Sequence, residues 1–284
     1  MGRGRGTFGG VRRDAVSHRA RAMVRLLLIG DVVGNAGRRA LHEALESTID
    51  RKKIDFTVVN IENAAGGFGL TPEIYQDLKK LPINVFSSGN HIWDKKELAH
   101  RLDEYEDVLR PANYPPGNPG RGSMVGTTAA GVPVAVLNLQ GQVFMAPIDS
   151  PFRVADALLP ELRKTAAVIL VDFHAEATSE KNAIGWYLDG RVSAVIGTHT
   201  HVPTADETIR PGGTAYLTDA GMTGAYESVI GFSHERVIEK FLTQTPRPFE
   251  PAKKDVRLSG AIVDVDEETG RATTIERLQV RVDS

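Results

Sequence analysis

Five short apolar runs in this chain each stop at a residue able to bind a metal, and that recurrence constrains the fold more than any other feature. Arg25 to Gly30 runs into Asp31, Asp55 to Ile61 into Glu62-Asn63, and Asn84 to Ser88 into Gly89-Asn90-His91. Ala167 to Phe173 ends at His174, and Arg191 to Gly197 leads to His199 and His201. Continuous apolar runs of this length, separated by helical stretches, read as strands buried on both faces of an α/β sheet. Open α/β sheets place ligands beyond the carboxyl ends of their strands. Each polar end also has a plainer reading. Asp31 would serve as a helix N-cap, Gly-Asn-His as a turn, and His-x-His as a polar loop. Together they would gather two carboxylates, two amides and four of the chain's eight histidines on one sheet edge.

Local geometry supports the histidine pair in particular. An extended segment after Gly197 would send His199 and His201 out of the same face, and neutral imidazole is the commonest metal ligand. Glu62, followed by Asn63 and the small residues Ala64 to Gly67, has no capping role and needs a cation or an arginine as partner. The Gly66-Gly67-Phe68-Gly69 stretch is no phosphate-cradling P-loop, because no Gly-Lys-Ser/Thr follows. The chain has no cysteine, so disulfides and thiolate sites are excluded, in keeping with a cytoplasmic protein. A metal here would be held by nitrogen and oxygen, which favours Mn, Fe or Zn.

The remaining elements are legible by the same means. Helices are predicted over about 37–51, 72–80 (Thr71 capping, Pro72 at the first position), 152–164 and 235–242. A hairpin is predicted around Ala130-Gly131, and paired antiparallel strands over 258–265 and 273–280. Residues 109–121 read as a surface loop, and 175–181 as a polar segment facing a cleft. Residues 1–22 carry six arginines against one acid and read as a disordered basic arm. The other 262 residues hold 28 basic and 35 acidic side chains, an acidic body without a nucleic-acid-binding charge signature. We therefore expect residues 23–284 to form one domain. No apolar run approaches the roughly 18 residues of a membrane span.

The order Gly-Asp, Glu-Asn, Gly-Asn-His, His, Gly-x-His-x-His resembles the calcineurin-like metallophosphoesterases. Gly30 to Gly34 (GDVVG), Asn60 to Gly67 (NIENAAGG), Val171 to Lys181 (VDFHAEATSEK), Leu188 to Val192 (LDGRV) and Thr218 to Gly224 (TDAGMTG) resemble the YmdB branch of that superfamily. The likeness covers about residues 24 to 282. Two departures from the wider superfamily, Val33 in place of a histidine and Glu62 in place of an aspartate, match the YmdB pattern, in which Asn63 replaces the missing histidine. The resemblance implies a four-layer α/β/β/α sandwich of two mixed sheets flanked by helices. It implies two metal ions, Fe or Mn in first place with Zn as the alternative. One is held by Asp31, Glu62, Asn63 and His201, the other by Glu62, Asn90, His174 and His199. It further implies a phosphodiesterase acting on 2′,3′-cyclic nucleotides through a hydroxide bridging the metals, with His91 as proton donor. The partners implied are a small nucleotide diester and a role connected with RNA, with no membrane and with a homo-oligomer left open. The alternatives are a regulatory RNA-binding protein on the same scaffold, or a phosphomonoesterase.

Overall fold

The computed structural model describes residues 1–2 and 22–282, so most of the basic arm lies outside the described residues. In chain order the elements are β1 (Met23–Ile29), α1 (Gly34–Lys52), β2 (Phe56–Asn60), α2 (Pro72–Leu78), β3 (Val85–Ser87), α3 (Lys96–Ala99), β4 (Ser123–Thr127), β5 (Pro133–Gln140) and α4 (Pro151–Thr165). The second half supplies β6 (Val168–His174), α5 (Thr178–Tyr187), β7 (Ala194–Thr198), β8 (Thr208–Ile209), β9 (Ala215–Leu217), β10 (Gly224–Ala225), α6 (His234–Thr243), β11 (Val256–Asp266) and β12 (Ala272–Arg281).

Two six-stranded mixed sheets result. The first has the order β10-β11-β1-β2-β3, with β12 pairing β11; the second has the order β4-β5-β6-β7-β9-β8. β1, β2 and β3 are mutually parallel, as are β5, β6, β7 and β9. Strand alternation then sorts the apolar residues into layers. Leu27 and Ile29 of β1 face α1, where they meet Leu41 and Leu45. Val24, Leu26 and Leu28 of the same strand face the other sheet and join Val134, Val136, Leu170 and Ile196. The far side of the second sheet packs Leu137, Ile169 and Phe173 against Leu159 and Ile184 of α4 and α5. Three cores between four layers give the expected α/β/β/α sandwich.

Several local readings need correction. Asp31 caps nothing: the residue flanking α1 is Val33, whose side chain makes no capping bond. The stretch 175–181 faces a cleft only in part: Glu176 lines it and Thr178 and Ser179 are exposed. Ala175, Glu180 and Lys181 are buried, and α5 begins at Thr178. Glu180 accepts backbone N–H bonds from Gln142 and Val143, while Lys181 Nζ lies 2.6 Å from Asp219 Oδ2. Residues 109–121 are not wholly superficial, because Leu109 and Asn113 are fully buried and Asn113 bonds the backbone of Gln140. Thr71 does cap α2, accepting from the Ile74 N–H.

Candidate metal centre

The carboxyl ends of β1, β2 and β3 in one sheet and of β6 and β7 in the other meet at a single place. A hydrogen-bonded plug beneath it joins the sheets. Asp172 of β6 accepts from Ser87 Oγ of β3 at 2.5 Å, from Asn60 Nδ2 of β2 at 3.1 Å and from Thr198 Oγ1 of β7 at 2.7 Å. Complete burial pushes its carboxyl up to about 7 despite these donors.

Thr198 gives its proton to Asp172 and therefore accepts from His174 Nδ1, 2.9 Å away. His174 thus carries its lone pair on Nε2. That nitrogen faces Glu62 Oε1 at 3.0 Å, Asn90 Oδ1 at 3.2 Å and His199 Nδ1 at 3.0 Å. One atom of each of Glu62, His174 and His199 lies within 4.8 Å of the other two. Lone pairs converging on one buried point repel one another unless a cation lies between them.

Asp31 and Asn63 supply a second sign of the same need. Asp31 Oδ2 accepts the His199 N–H at 3.0 Å, and Asn63 Nδ2 donates to the Gly67 carbonyl at 2.8 Å. The remaining carboxylate oxygen of Asp31, Oδ1, and the amide oxygen of Asn63, Oδ1, are buried without a hydrogen-bond partner. Such orphans are costly in a protein interior and fit metal ligation. His201 donates from Nδ1 to the Ile230 carbonyl at 2.8 Å, which leaves Nε2 as its ligand atom. Backbone space at the site is tight too: a Cβ on Gly89 would overlap the His174 ring and the Glu62 carboxylate.

Burial sets the charges of the group. It holds the His174 and His199 imidazoles down at about 3 and lowers His201 as well. It also raises the carboxyls of Glu62 and of Asp31, the latter to about 7. The His174 and His199 imidazoles are neutral ligands at any ordinary pH, while the carboxylates lack the positive charge that would offset their desolvation.

His91 stands beside this group on a 3-10 turn, Asn90–Trp93. Its N–H donates to Glu62 Oε2 at 3.0 Å, and its Nδ1 lies 2.8 Å from Asp94 Oδ2. Nε2 is left for a ligand in a cavity of about 620 Å³ lined by Glu62, Asn63, His91, His199 and His201. All eight residues singled out in the sequence therefore come together.

His199 and His201 do not leave one face of an extended strand. β7 ends at Thr198, and His199 and His201 reach the site with φ of 100° and 65°. This left-handed backbone is uncommon outside glycine, and the pair is not two steps of one strand. Gly197 has an ordinary φ; it is needed because a Cβ would overlap the Thr218 carbonyl oxygen. Asp94, Asp172, Thr198 and the Ile230 carbonyl were not picked out. Asp172 had a signal, a charged residue inside an apolar strand. Asp94 had a weaker one, its place three residues after His91.

The model of the YmdB-like protein family matches residues 27–278. The chain belongs to the YmdB-like family. It is 48% identical over 260 residues to the 2′,3′-cyclic-nucleotide 2′-phosphodiesterase of Bacillus subtilis, covering 92% of this chain and 98% of that YmdB-like relative. A hypothetical protein from Thermus thermophilus has a crystal structure similar to this fold, with a TM-score of 0.85 and 44% identity over 91% of this chain and 99% of that one. The crystal structure of a novel phosphatase from Mycoplasma pneumoniae also gives a TM-score of 0.85, at 34% identity over 92% and 94% of the two chains.

Proposed function

We propose that this protein is a metal-dependent phosphodiesterase that opens 2′,3′-cyclic nucleotides. The observation that carries the reading is the convergence of donors without a proton between them. His174 Nε2, Glu62 Oε1, Asn90 Oδ1 and His199 Nδ1 crowd one point, with the orphaned oxygens of Asp31 and Asn63 nearby. In this reading Asp31, Glu62, Asn63 and His201 hold one ion. Glu62, Asn90, His174 and His199 hold the other, and Glu62 is shared. A shell of imidazole, amide and carboxylate without thiolate suits Mn or Fe, with Zn as the alternative. Two ions in such a site supply charge that offsets the phosphate oxygens and makes water more acidic.

The protein's own work falls to His91. Its N–H bond to Glu62 fixes its backbone beside the shared carboxylate. Asp94 orients the ring through Nδ1, so that an Nε2–H faces the substrate. His91 then gives that proton to the ribose oxygen that leaves phosphorus when the ring opens. The name of the Bacillus subtilis relative supports this substrate class. The phosphatase description of the Mycoplasma pneumoniae neighbour favours a second reading, a monoesterase with the same site. A panel of 2′,3′-cyclic mononucleotides, cyclic dinucleotides, nucleotide monoesters and short RNA, given to the metal-loaded protein, separates the two. The proposal expects kcat/KM to be highest for the 2′,3′-cyclic nucleotides. A preference for monoesters would replace it with the second reading.

A further inference from the structure

The cavity over the metal centre has a second wall that this chemistry does not use. Phe68 sits edge-on to His91 with ring centroids 5.0 Å apart, and stacks on Phe232 at 5.5 Å. Phe249 leans on Phe232 at 5.0 Å, and Phe241 of α6 lines the same space. None of these four rings belongs to the three cores of the sandwich. Two of them are strongly exposed for aromatic residues, Phe249 at 40% and Phe241 at 72%. An apolar wall continuous with a polar reaction centre is the usual form of a small-ligand site.

The wall is also built into the ligand loop. Gly67 has φ of 98°, and a Cβ there would strike the Phe232 ring. Its carbonyl is the one that Asn63 uses to turn its free oxygen towards the metal site. Gly67 thus seats a proposed metal ligand on one side and the aromatic wall on the other.

Resting on the phosphodiesterase reading above, we propose that this wall is a nucleobase subsite, in which the exposed rings of Phe241 and Phe249 pack against the base of the nucleotide. Of the polar side chains bordering it, Glu176 and Thr200 already have partners and Lys240 lies over a ring. Glu176 Oε2 lies 3.1 Å from His199 Nε2, Thr200 Oγ1 donates to Asp219 Oδ2 at 2.8 Å, and Lys240 Nζ sits 4.4 Å above the Phe249 ring. The base is therefore held by its faces and not read at its hydrogen-bonding edge. Such a subsite accepts all four bases and rejects substrates that lack one.

Binding of product-like ligands tests this without relying on turnover. The Mn²⁺-loaded protein is titrated calorimetrically with the four nucleoside 3′-monophosphates and with methyl ribofuranoside 3′-phosphate, which has no base. Base–aromatic stacking is worth roughly 5- to 150-fold in affinity, so we expect all four nucleotides to bind about 10-fold or more tightly than the abasic phosphate. Purines should exceed pyrimidines, with adenine like guanine and cytosine like uracil. The Phe241→Ala/Phe249→Ala protein should lose that advantage, and the Phe241→Tyr/Phe249→Tyr protein should keep it. Equal affinity for nucleotide and abasic phosphate in the unsubstituted protein would overturn the subsite. So would an alanine variant that retains the advantage, including one whose only change is weaker self-association, which would assign the rings to contact between copies. Base-dependent binding without hydrolysis of cyclic nucleotides would leave the subsite standing and remove the phosphodiesterase reading.

Discussion

His91 is held from two sides before any substrate enters, by Glu62 at its N–H and by Asp94 at Nδ1. This separates its role from that of the ligands. We expect His91→Ala to keep its metal content and to lose turnover of a cyclic nucleotide by roughly 10²–10⁴-fold. The loss should shrink for a p-nitrophenyl diester, whose leaving group departs without a proton. Equal losses on the two substrates, measured by kcat with metal content in the same samples, would remove the acid assignment. Glu62 and Asp31 divide in a similar way. Glu62→Gln should lower occupancy of both ions and Asp31→Asn mainly of one, as read by metal analysis; loss of a single ion in both variants would refute the shared carboxylate. At this scale the sequence was most informative where residue types were rare. His, Asn and Glu at apolar strand ends stood out, whereas Asp94 and the Ile230 carbonyl did not. A carboxylate three residues away and a backbone oxygen 29 residues away acquire meaning only from the fold.

Strands and turns decide how those residues are delivered. Runs such as Leu26 to Ile29 and Val168 to Phe173 declared their elements because burial on both faces demands unbroken apolar sequence. The ends of the elements were less legible. The left-handed residues His199 and His201, and the helix α5 that begins at Thr178, depend on tertiary contacts that local propensity does not contain. Lys181, read as part of a polar segment facing a cleft, is instead buried against Asp219. Gly89 shows how closely an element end can be tied to the site. A methyl group at this position would meet both the His174 ring and the Glu62 carboxylate. We expect Gly89→Ala to keep its far-UV circular dichroism and to lose at least about 10-fold in Mn²⁺ affinity, in line with the 10- to 100-fold cost of disturbing the residues around metal ligands. Unchanged affinity would contradict the packing described.

Across the whole molecule, two sheets face each other through one core and bring their carboxyl ends to one buried group of acids and imidazoles. Its protonation couples to metal uptake. The raised carboxyls lower the stability of the metal-free protein as pH rises from about 4, the unfolded value, towards about 7 for Asp31 and Asp172. The lowered histidines act oppositely: their contribution is present above about 6.5 and is lost as pH falls towards about 3 for His174 and His199. Metal uptake escapes this cancellation, because at pH 6 the Asp31 carboxyl still carries a proton while His174 and His199 do not. We expect Mn²⁺ binding at pH 6 to release protons and its affinity to rise towards pH 7, as read by calorimetry in buffers of different ionisation enthalpy. Absence of proton release would contradict the charge states described. The central claim, that these strand ends form a two-ion phosphodiesterase, is tested most directly by adding Mn²⁺ in steps to chelator-stripped protein while following hydrolysis of a 2′,3′-cyclic nucleotide. Hydrolysis should be absent in chelator, and its rate should saturate at two ions per chain. Hydrolysis that persists in chelator, saturates at one ion, or never appears with both ions bound would contradict that claim.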